Sequence, residues 1–435
     1  MKIKFGNFFP YGIKIKSKKQ LCSEKSVERA VEPKRVAISL SQHIGAPATA
    51  IVKSGDKVKI GQLIGTATSP VSANVHASIS GTVLEVTELT NGLGQKQTHV
   101  IIENDFSNER EFLPTLSDFS ASSLKERVLQ AGIVGLGGAG FPTNVKLSPK
   151  TKIDTLIING AECEPYLNCD YRLMVEKTNE VYKGIKYLQT ILGADKAIIG
   201  IEANKPKAIE LFSNLNDVQV VVLKKQYPMG SEKHLIYCTT KRKVPLGKMP
   251  FDVGCCVQNV KTVLACYQAI EENIPLTHTV LTVSGNGVNT PKNLLAPIGT
   301  SFNHLLECCD GIKDNSVKII AGGPMMGKTL ANLEQYTKKT DSGILALVSE
   351  ETDLSMPSNC INCAKCAKVC PMRLMPMYIE SFILANDLVN AEKYGAMNCI
   401  ECGCCAYGCP AKRPLVQSIT LAKNKIREKK ANEKR

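Results

Sequence analysis

The sequence predicts a multidomain α+β protein, and three observations along its 435 residues carry that prediction. Residues 35–104 alternate short β-type runs with turn signals, the pattern of a small all-β unit. Residues 121–270 alternate continuous apolar runs with helical segments, as in a parallel sheet wrapped by helices. Towards the end of the chain the spacing Cys-x2-Cys-x2-Cys-x3-Cys-Pro occurs twice, over Cys360–Pro371 and Cys399–Pro410.

Residues 1–34 are polar and basic without a period, and read as an N-terminal extended arm. In 35–104 the predicted strands include Arg35–Leu40, Thr82–Val86 and His99–Ile102, separated by turns at Gly55-Asp56, Gly81 and Asn91-Gly92. The segments Val52–Val58, Gly61-Gln62 and Val75–Gly81 resemble the barrel-sandwich hammerhead of biotinyl and lipoyl carriers. Those carriers attach their cofactor to a Lys at a hairpin tip. Ser72–Ser80 contains no Lys, so a structural or docking module is expected, with His43 and His76 structural.

Residues 105–120 read as a polar linker. Beyond them Ser122–Gln130, Leu173–Leu192 and Lys205–Phe212 have helical period, and Ile153–Asn159, Ala197–Glu202 and Val218–Leu223 suit buried parallel strands. In residues 275–323 the strands His278–Ser284 and Val317–Ala321 flank a turn at Gly285–Gly287 and a short helix over Ser301–Cys309. This pattern resembles a β-grasp module of the soluble-ligand-binding (SLBB) type. Residues 324–355 read as a connection to an α-helical double-cluster domain over 356–422, and 423–435 as a basic tail.

Composition narrows the function classes. A hydrophobic content of 43% supports packed cores, and the absence of Trp with only 5% aromatics argues against a stacking platform for nucleic acid. The net charge of +14 is concentrated in Lys14–Lys19 and Lys423–Arg435. It reads either as a solvated Lys-rich surface or as contact with an acidic partner or an anionic membrane face. No segment approaches the roughly 20 apolar residues of a membrane span, and Met1–Pro10 has no apolar signal core. The expectation is a soluble intracellular protein that reaches a membrane only through other subunits. Eighteen cysteines in such a chain point to metal ligation rather than a disulfide framework.

The doubled cysteine run has the spacing of bacterial two-cluster ferredoxins. Three thiolates two residues apart wrap one face of a cubane, and the fourth, three residues on, reaches the other cluster. One [4Fe–4S] cluster is therefore assigned to Cys360, Cys363, Cys366 and Cys409, the other to Cys399, Cys402, Cys405 and Cys370. Zinc ribbons use paired CxxC motifs instead. Cys404 would require the wrong spacings and is read as a spectator. The remaining cysteines show no ligand spacing and are expected as small buried hydrophobes.

Gly135-Leu-Gly137-Gly138-Ala-Gly140-Phe141-Pro142-Thr143 contains a formal GxGxxG, but Phe141-Pro142 blocks the usual helix start. Such a turn either brings backbone N–H groups against a phosphate or flat ring, or is a tight turn without a ligand. The segment resembles the flavin-binding loop of the NADH-oxidising subunit of respiratory complex I. Further segments follow in that family's order: Lys146, Asn159-Gly-Ala-Glu162-Cys-Glu164-Pro165, Gly230-Ser-Glu232-Lys233 and Val257-Gln258-Asn259-Val260-Lys261-Thr262. The resemblance implies FMN held by Gly135, Gly137, Gly138, Gly140, Lys146, Asn159, Gly230, Gln258 and Asn259. It implies NAD(H) beside Phe141, Glu162, Glu164 and Glu232. The departures are Ala161, where that family has Asp, and Gln258, where it has Asn. Taken singly, Glu162 and Glu164 also read as surface charges, Asn259 as a helix cap and Phe141 as core.

Residues 35–425 as a whole resemble the RnfC family, the C subunits of the Rnf complex, a membrane-bound ion-translocating ferredoxin:NAD⁺ oxidoreductase. Leu40–Ala46, Ile157–Tyr166, Gly322–Gly327, Cys399–Gly403 and Pro410–Val416 carry the resemblance, together with the domain order. It implies a peripheral electron-transfer subunit at the cytoplasmic face of the cell membrane. It would pass electrons between NAD(H), FMN and two [4Fe–4S] clusters, among other Rnf-type membrane and ferredoxin-like subunits. Pro10-Tyr-Gly12-Ile-Lys14 stands where that family has Gly-Gly-x-His-Pro. That departure keeps open a soluble carrier feeding a cytoplasmic reductase, and a non-enzymatic iron–sulfur scaffold is the second alternative.

Overall fold

The computed structural model describes residues 3–433, so the outermost two residues of the arm and of the tail lie outside it. The α/β unit is built on a five-stranded parallel sheet in the order Ile3–Phe5, Val218–Leu223, Lys196–Glu202, Thr155–Gly160, Cys255–Asn259. Helices on both faces bury the central strands, which is why these read as unbroken apolar runs. The helical stretch expected over Leu173–Leu192 is two helices, Cys169–Glu176 and Thr178–Leu192, broken at Lys177. The ends of Thr155–Gly160 and Cys255–Asn259 are neighbours, and ligands of open parallel sheets bind beyond such carboxyl ends.

The N-terminal arm is not a free extension. Ile3–Phe5 is the edge strand of the parallel sheet, and Val27–Arg29 pairs with Lys292–Pro297 of another sheet. Each contribution is three residues long, too short to show a period. Lys19, counted with the solvated charge, is largely buried and donates to the Glu164 carbonyl at 2.9 Å and to the Leu167 carbonyl.

The barrel-sandwich unit pairs a four-stranded sheet with a three-stranded one around Val36, Ile38, Ile64, Val75, Val100 and Ile102. Ser72–Ser80, the counterpart of a carrier tip, is mostly buried. Within it Ser78 donates to the Ile298 carbonyl at 2.5 Å, so the segment is docked against the β-grasp module. His76 is pushed down to about 3 by burial first and by Lys339 second, and stays neutral.

The β-grasp sheet runs past residue 323. Gly343–Val348, buried at every position, lies between His278–Ser284 and Ser316–Ala321. The reading of 324–355 as a plain connection is therefore corrected. The run Gly343-Ile-Leu-Ala-Leu-Val348 already carried the signal of a two-face-buried strand. The same segment supplies Lys339, whose ammonium donates to the carbonyls of Asn74 at 2.5 Å and Gly132 at 2.7 Å. It ties the barrel-sandwich to the start of the glycine loop.

In the cysteine-rich unit Leu415–Asn432 is one helix, with Ile419, Ala422 and Ile426 packed on Ile379 and Ile383. Lys423 belongs to this packing rather than to a solvated tail; its ammonium donates to the Cys399 carbonyl at 2.8 Å and to Glu401. Among the described residues no helix is long and apolar enough to cross a membrane.

One buried ion pair fixes the loop after Thr155–Gly160. Lys205 lies 2.9 Å from Glu202, both side chains 2% exposed, and donates to the Ala161 carbonyl at 2.9 Å. Lys205→Met leaves Glu202 charged and buried. Chemical denaturation should show a loss of about 3–5 kcal/mol, and a loss under ~1 kcal/mol would mean that water reaches Glu202.

Candidate functional site

All thirteen residues expected around flavin and nicotinamide line one cleft of about 380 Å³, a volume within the usual range of cofactor sites. One wall is the glycine loop. It is closed by Gly135 N–H donating to the Phe141 carbonyl at 2.9 Å and Leu136 N–H donating to Thr262 Oγ1 at 2.9 Å. The helix that follows Pro142 is only Thr143–Lys146, so the loop is no Rossmann turn. A Cβ on Gly137 would lie 2.6 Å from Asn259 Nδ2, so the backbone approach there requires glycine. A Cβ on Gly138 would meet nothing within 4 Å, which leaves that backbone bare towards the cleft.

The strand ends beside the loop supply further lining. Asn259 caps the helix Val260–Glu271, accepting from Lys261 N–H at 2.8 Å, and donates to Asp170 Oδ2 at 2.7 Å. The helix-cap reading therefore holds together with its place in the cleft. Asn159 accepts from Ala161 N–H at 3.1 Å and donates to the Gly230 carbonyl at 2.8 Å, which joins two loops. Gln258 is buried, and Phe141 is half-buried at the cleft.

The acidic residues are not surface charges. Glu162, with a side chain 4% exposed, accepts from Asp170 N–H at 2.8 Å and Tyr171 N–H at 3.3 Å at the start of the helix Cys169–Glu176. Glu164 accepts from Met325 N–H at 3.1 Å and Met326 N–H at 2.9 Å, clamping the Gly322–Gly327 loop. Burial pushes its carboxyl up to about 7 against the pull of those two donors. Lys146 and Glu232, expected beside different ligands, form an ion pair at 2.6 Å. Burial works against the Lys146 ammonium, but Glu232 outweighs it and holds the group above its ordinary range. Asp170 was missed by sequence reasoning. Burial and the Glu162 charge keep its carboxyl above the usual range while it anchors Asn259. Its only signal was its place in a first helical turn.

The eight run cysteines partition into two cavities. Cys360, Cys363, Cys366 and Cys409 line one with Ile361, Met377 and Leu415. Cys370, Cys399, Cys402 and Cys405 line the other with Leu374, Val416 and Ile419. This is the crossed grouping that the spacing implies. Residues with positive φ at Asn362, Ala364, Glu401 and Gly403 turn the chain tightly around each cavity. Leu374 N–H donates to Cys370 Sγ and Glu401 N–H to Cys399 Sγ, both at 3.3 Å, donors that favour the thiolate form. Among the described residues neither quartet holds three donor atoms within 4.8 Å of one another. One zinc ion at its ordinary ~2.3 Å bonds would draw its sulfurs closer than that. The residues therefore fit cubanes.

Cys404 is absent from both linings and buried beside Ile13 and Tyr227. Cys404→Ala should leave the iron content of anaerobically purified protein unchanged, and a loss of about half would reassign a ligand. Cys360 and Cys363 are exposed, whereas Cys370, Cys402 and Cys405 are buried. Cys402 and Ile400 line both the second thiol cavity and the cleft, so these two sites share a wall.

Comparison with known proteins agrees with this layout. Family models match residues 7–107 (RnfC barrel sandwich hybrid domain), 128–268 (Nuo51 FMN-binding domain), 280–329 (SLBB domain) and 352–410 (4Fe-4S dicluster domain). The C subunit of the proton-translocating ferredoxin:NAD(+) oxidoreductase complex of Clostridium ljungdahlii is 45% identical over 96% of this chain and 94% of its own length. The Na(+)-translocating counterpart of Acetobacterium woodii is 42% identical over 98% of each chain. The C subunit of the ion-translocating oxidoreductase complex of Rhodobacter capsulatus is 42% identical over 97% of this chain and 83% of its own. With such identity over nearly the full length, alongside the cleft and the two thiol quartets, the chain belongs to the Rnf family of C subunits of ferredoxin:NAD(+) oxidoreductase complexes.

Proposed function

We propose that this chain is the peripheral subunit that passes electrons between NAD(H) and the rest of a membrane-bound, ion-translocating ferredoxin:NAD⁺ oxidoreductase. The observation that carries it is the shared wall of Cys402 and Ile400 between the cleft and the second thiol quartet. FMN exchanges electrons singly or in pairs and the two [4Fe–4S] clusters singly, which is the chemistry the bound groups supply.

The chain's own contribution is placement. Gly135, Gly137, Gly138, Gly140, Asn159, Gly230, Gln258 and Asn259 would hold the flavin. Lys146 offers a cation that Glu232 already shares, so an arriving phosphate joins or displaces that carboxylate. Phe141 and Glu232 would face the nicotinamide nucleotide. Glu162 and Glu164, each already accepting from two backbone N–H groups, would shape its site rather than bind it directly. The quartet beside the cleft has three buried thiols and the other has two exposed ones, which gives the relay an inner and an outer end. Other Rnf-type membrane subunits and ferredoxin-like subunits would meet the outer end. They would hold the chain at the cytoplasmic face of the membrane, where its positive charge faces anionic lipid.

Anaerobic purification with iron, sulfide and flavin quantitation tests this reading. About eight irons and one FMN per chain are expected, with NADH-dependent reduction of an artificial dye. Full iron with neither flavin nor NADH oxidation would leave only a scaffold.

A further inference from the structure

A second cavity, of about 360 Å³, lies behind the glycine loop. Its walls are largely apolar, with Leu173, Leu264, Leu276 and Leu295 among them. Leu136 also lines it, while Gly135 and Gly137 on either side line the cleft. The loop is thus a partition with a ligand-sized space on each side.

Arg29, from the arm strand Val27–Arg29, and Arg110, from the 105–120 segment, border this cavity at its exposed side. Among the described residues neither guanidinium has a hydrogen-bond or ion-pair partner. The other charged groups of the lining are engaged. The Lys261 ammonium donates to the carbonyls of Val280 at 3.0 Å and Asp341 at 2.9 Å. Glu176 pairs with Arg172 at 2.7 Å, and Lys177 with Glu180 at 3.0 Å. His278, in the same wall, is pushed down to about 4 by burial and then by the two guanidiniums, so it adds no charge near neutral pH. What remains is a pair of unmatched guanidiniums beside an apolar space. Guanidinium forks match carboxylate and phosphate heads, and the leucines match a hydrocarbon body.

We propose that this cavity is a second ligand site, separate from the cleft, for a small amphipathic anion. Its head would sit on Arg29 and Arg110 and its apolar body against Leu264 and Leu276, behind Leu136. The inference does not depend on what occupies the cleft.

Calorimetric titration of the anaerobic full-length chain with decanoate, and separately with decyl phosphate, is the test. Saturable one-site binding of either is expected. Arg29→Ala with Arg110→Ala should weaken it at least about tenfold, the cost of two charged contacts. Leu264→Phe, which fills the cavity without touching the arginines, should weaken it as well, and acetate should bind at least about tenfold worse for lack of a body. An unchanged circular dichroism spectrum and thermal midpoint report that each variant is folded. Acetate binding as well as decanoate, or decanoate binding unaltered in the double arginine variant, would overturn the proposal. So would binding to phosphatidylglycerol vesicles with no binding of either soluble probe, because the arginines would then be a surface patch.

Discussion

Cys402→Ala should halve the iron of the protein and cut the remaining cluster off from NADH. Cys402 is the one predicted ligand that lines both its own thiol cavity and the cleft, and it is buried between them. Without it the second quartet has three thiols left. Cys404, next to Cys405, is the nearest spare thiol, so the doubly substituted Cys402→Ala, Cys404→Ala chain closes that escape. In anaerobic preparations iron should fall from about eight to about four per chain. The surviving cluster should be reducible by dithionite but not by NADH when followed by electron paramagnetic resonance. Cys363→Ala is the opposite case. Its thiol is exposed in the outer quartet, so its loss should leave the inner cluster reducible by NADH. A Cys402-less protein whose remaining cluster still takes electrons from NADH would refute the order of the two sites.

Gly137→Ala should empty the cleft while sparing both clusters. The new Cβ would stand 2.6 Å from Asn259 Nδ2 and 2.7 Å from its Cβ and Cγ. Asn259 cannot move freely, because it caps the helix Val260–Glu271 and holds Asp170 at 2.7 Å. Displacing the cap costs about 1 kcal/mol, and forcing the contact costs about 1–3 kcal/mol more. The glycine loop, tied outward by Leu136 N–H on Thr262 and by Ile44 N–H on the Gly140 carbonyl, is the part expected to shift. Flavin per iron in purified protein should drop at least about tenfold, matching that energy. Gly138→Ala separates packing from occupancy. With nothing within 4 Å of its Cβ, it should leave stability unchanged and still lower flavin retention, because the methyl enters the space of the cleft. Full flavin in Gly137→Ala would show that the loop does not contact it.

Three thiols of each quartet were legible in the sequence because their spacing is a local property, and the fourth, supplied by the other run, followed from the doubling of the motif. Ligands two and three residues apart can surround a cubane only from a tight loop, and Asn362, Ala364, Glu401 and Gly403 turn the chain there with positive φ. The parallel strands were legible for a similar reason, since burial on both faces leaves an unbroken apolar run wherever the strand lies. Gly343–Val348 had that same signature, but an apolar run does not say which sheet it joins, and its place between His278–Ser284 and Ser316–Ala321 came only with the fold. The arm strands had no signature of their own.

Residue types and short-range spacing laid out the chemistry on offer: eight thiolates in a spacing that suits two cubanes, a glycine loop, and the acids and amides that accompany it. Tertiary structure alone decided how those groups are used. It buried Glu162 and Glu164 under backbone donors, paired Lys146 with Glu232, brought in Asp170, and placed Cys402 on the wall of the cleft. The physical reason is separation along the chain. Spacing over a few residues is fixed by covalent geometry, whereas the meeting of residues 146 with 232, or 164 with 325, depends on how whole layers pack.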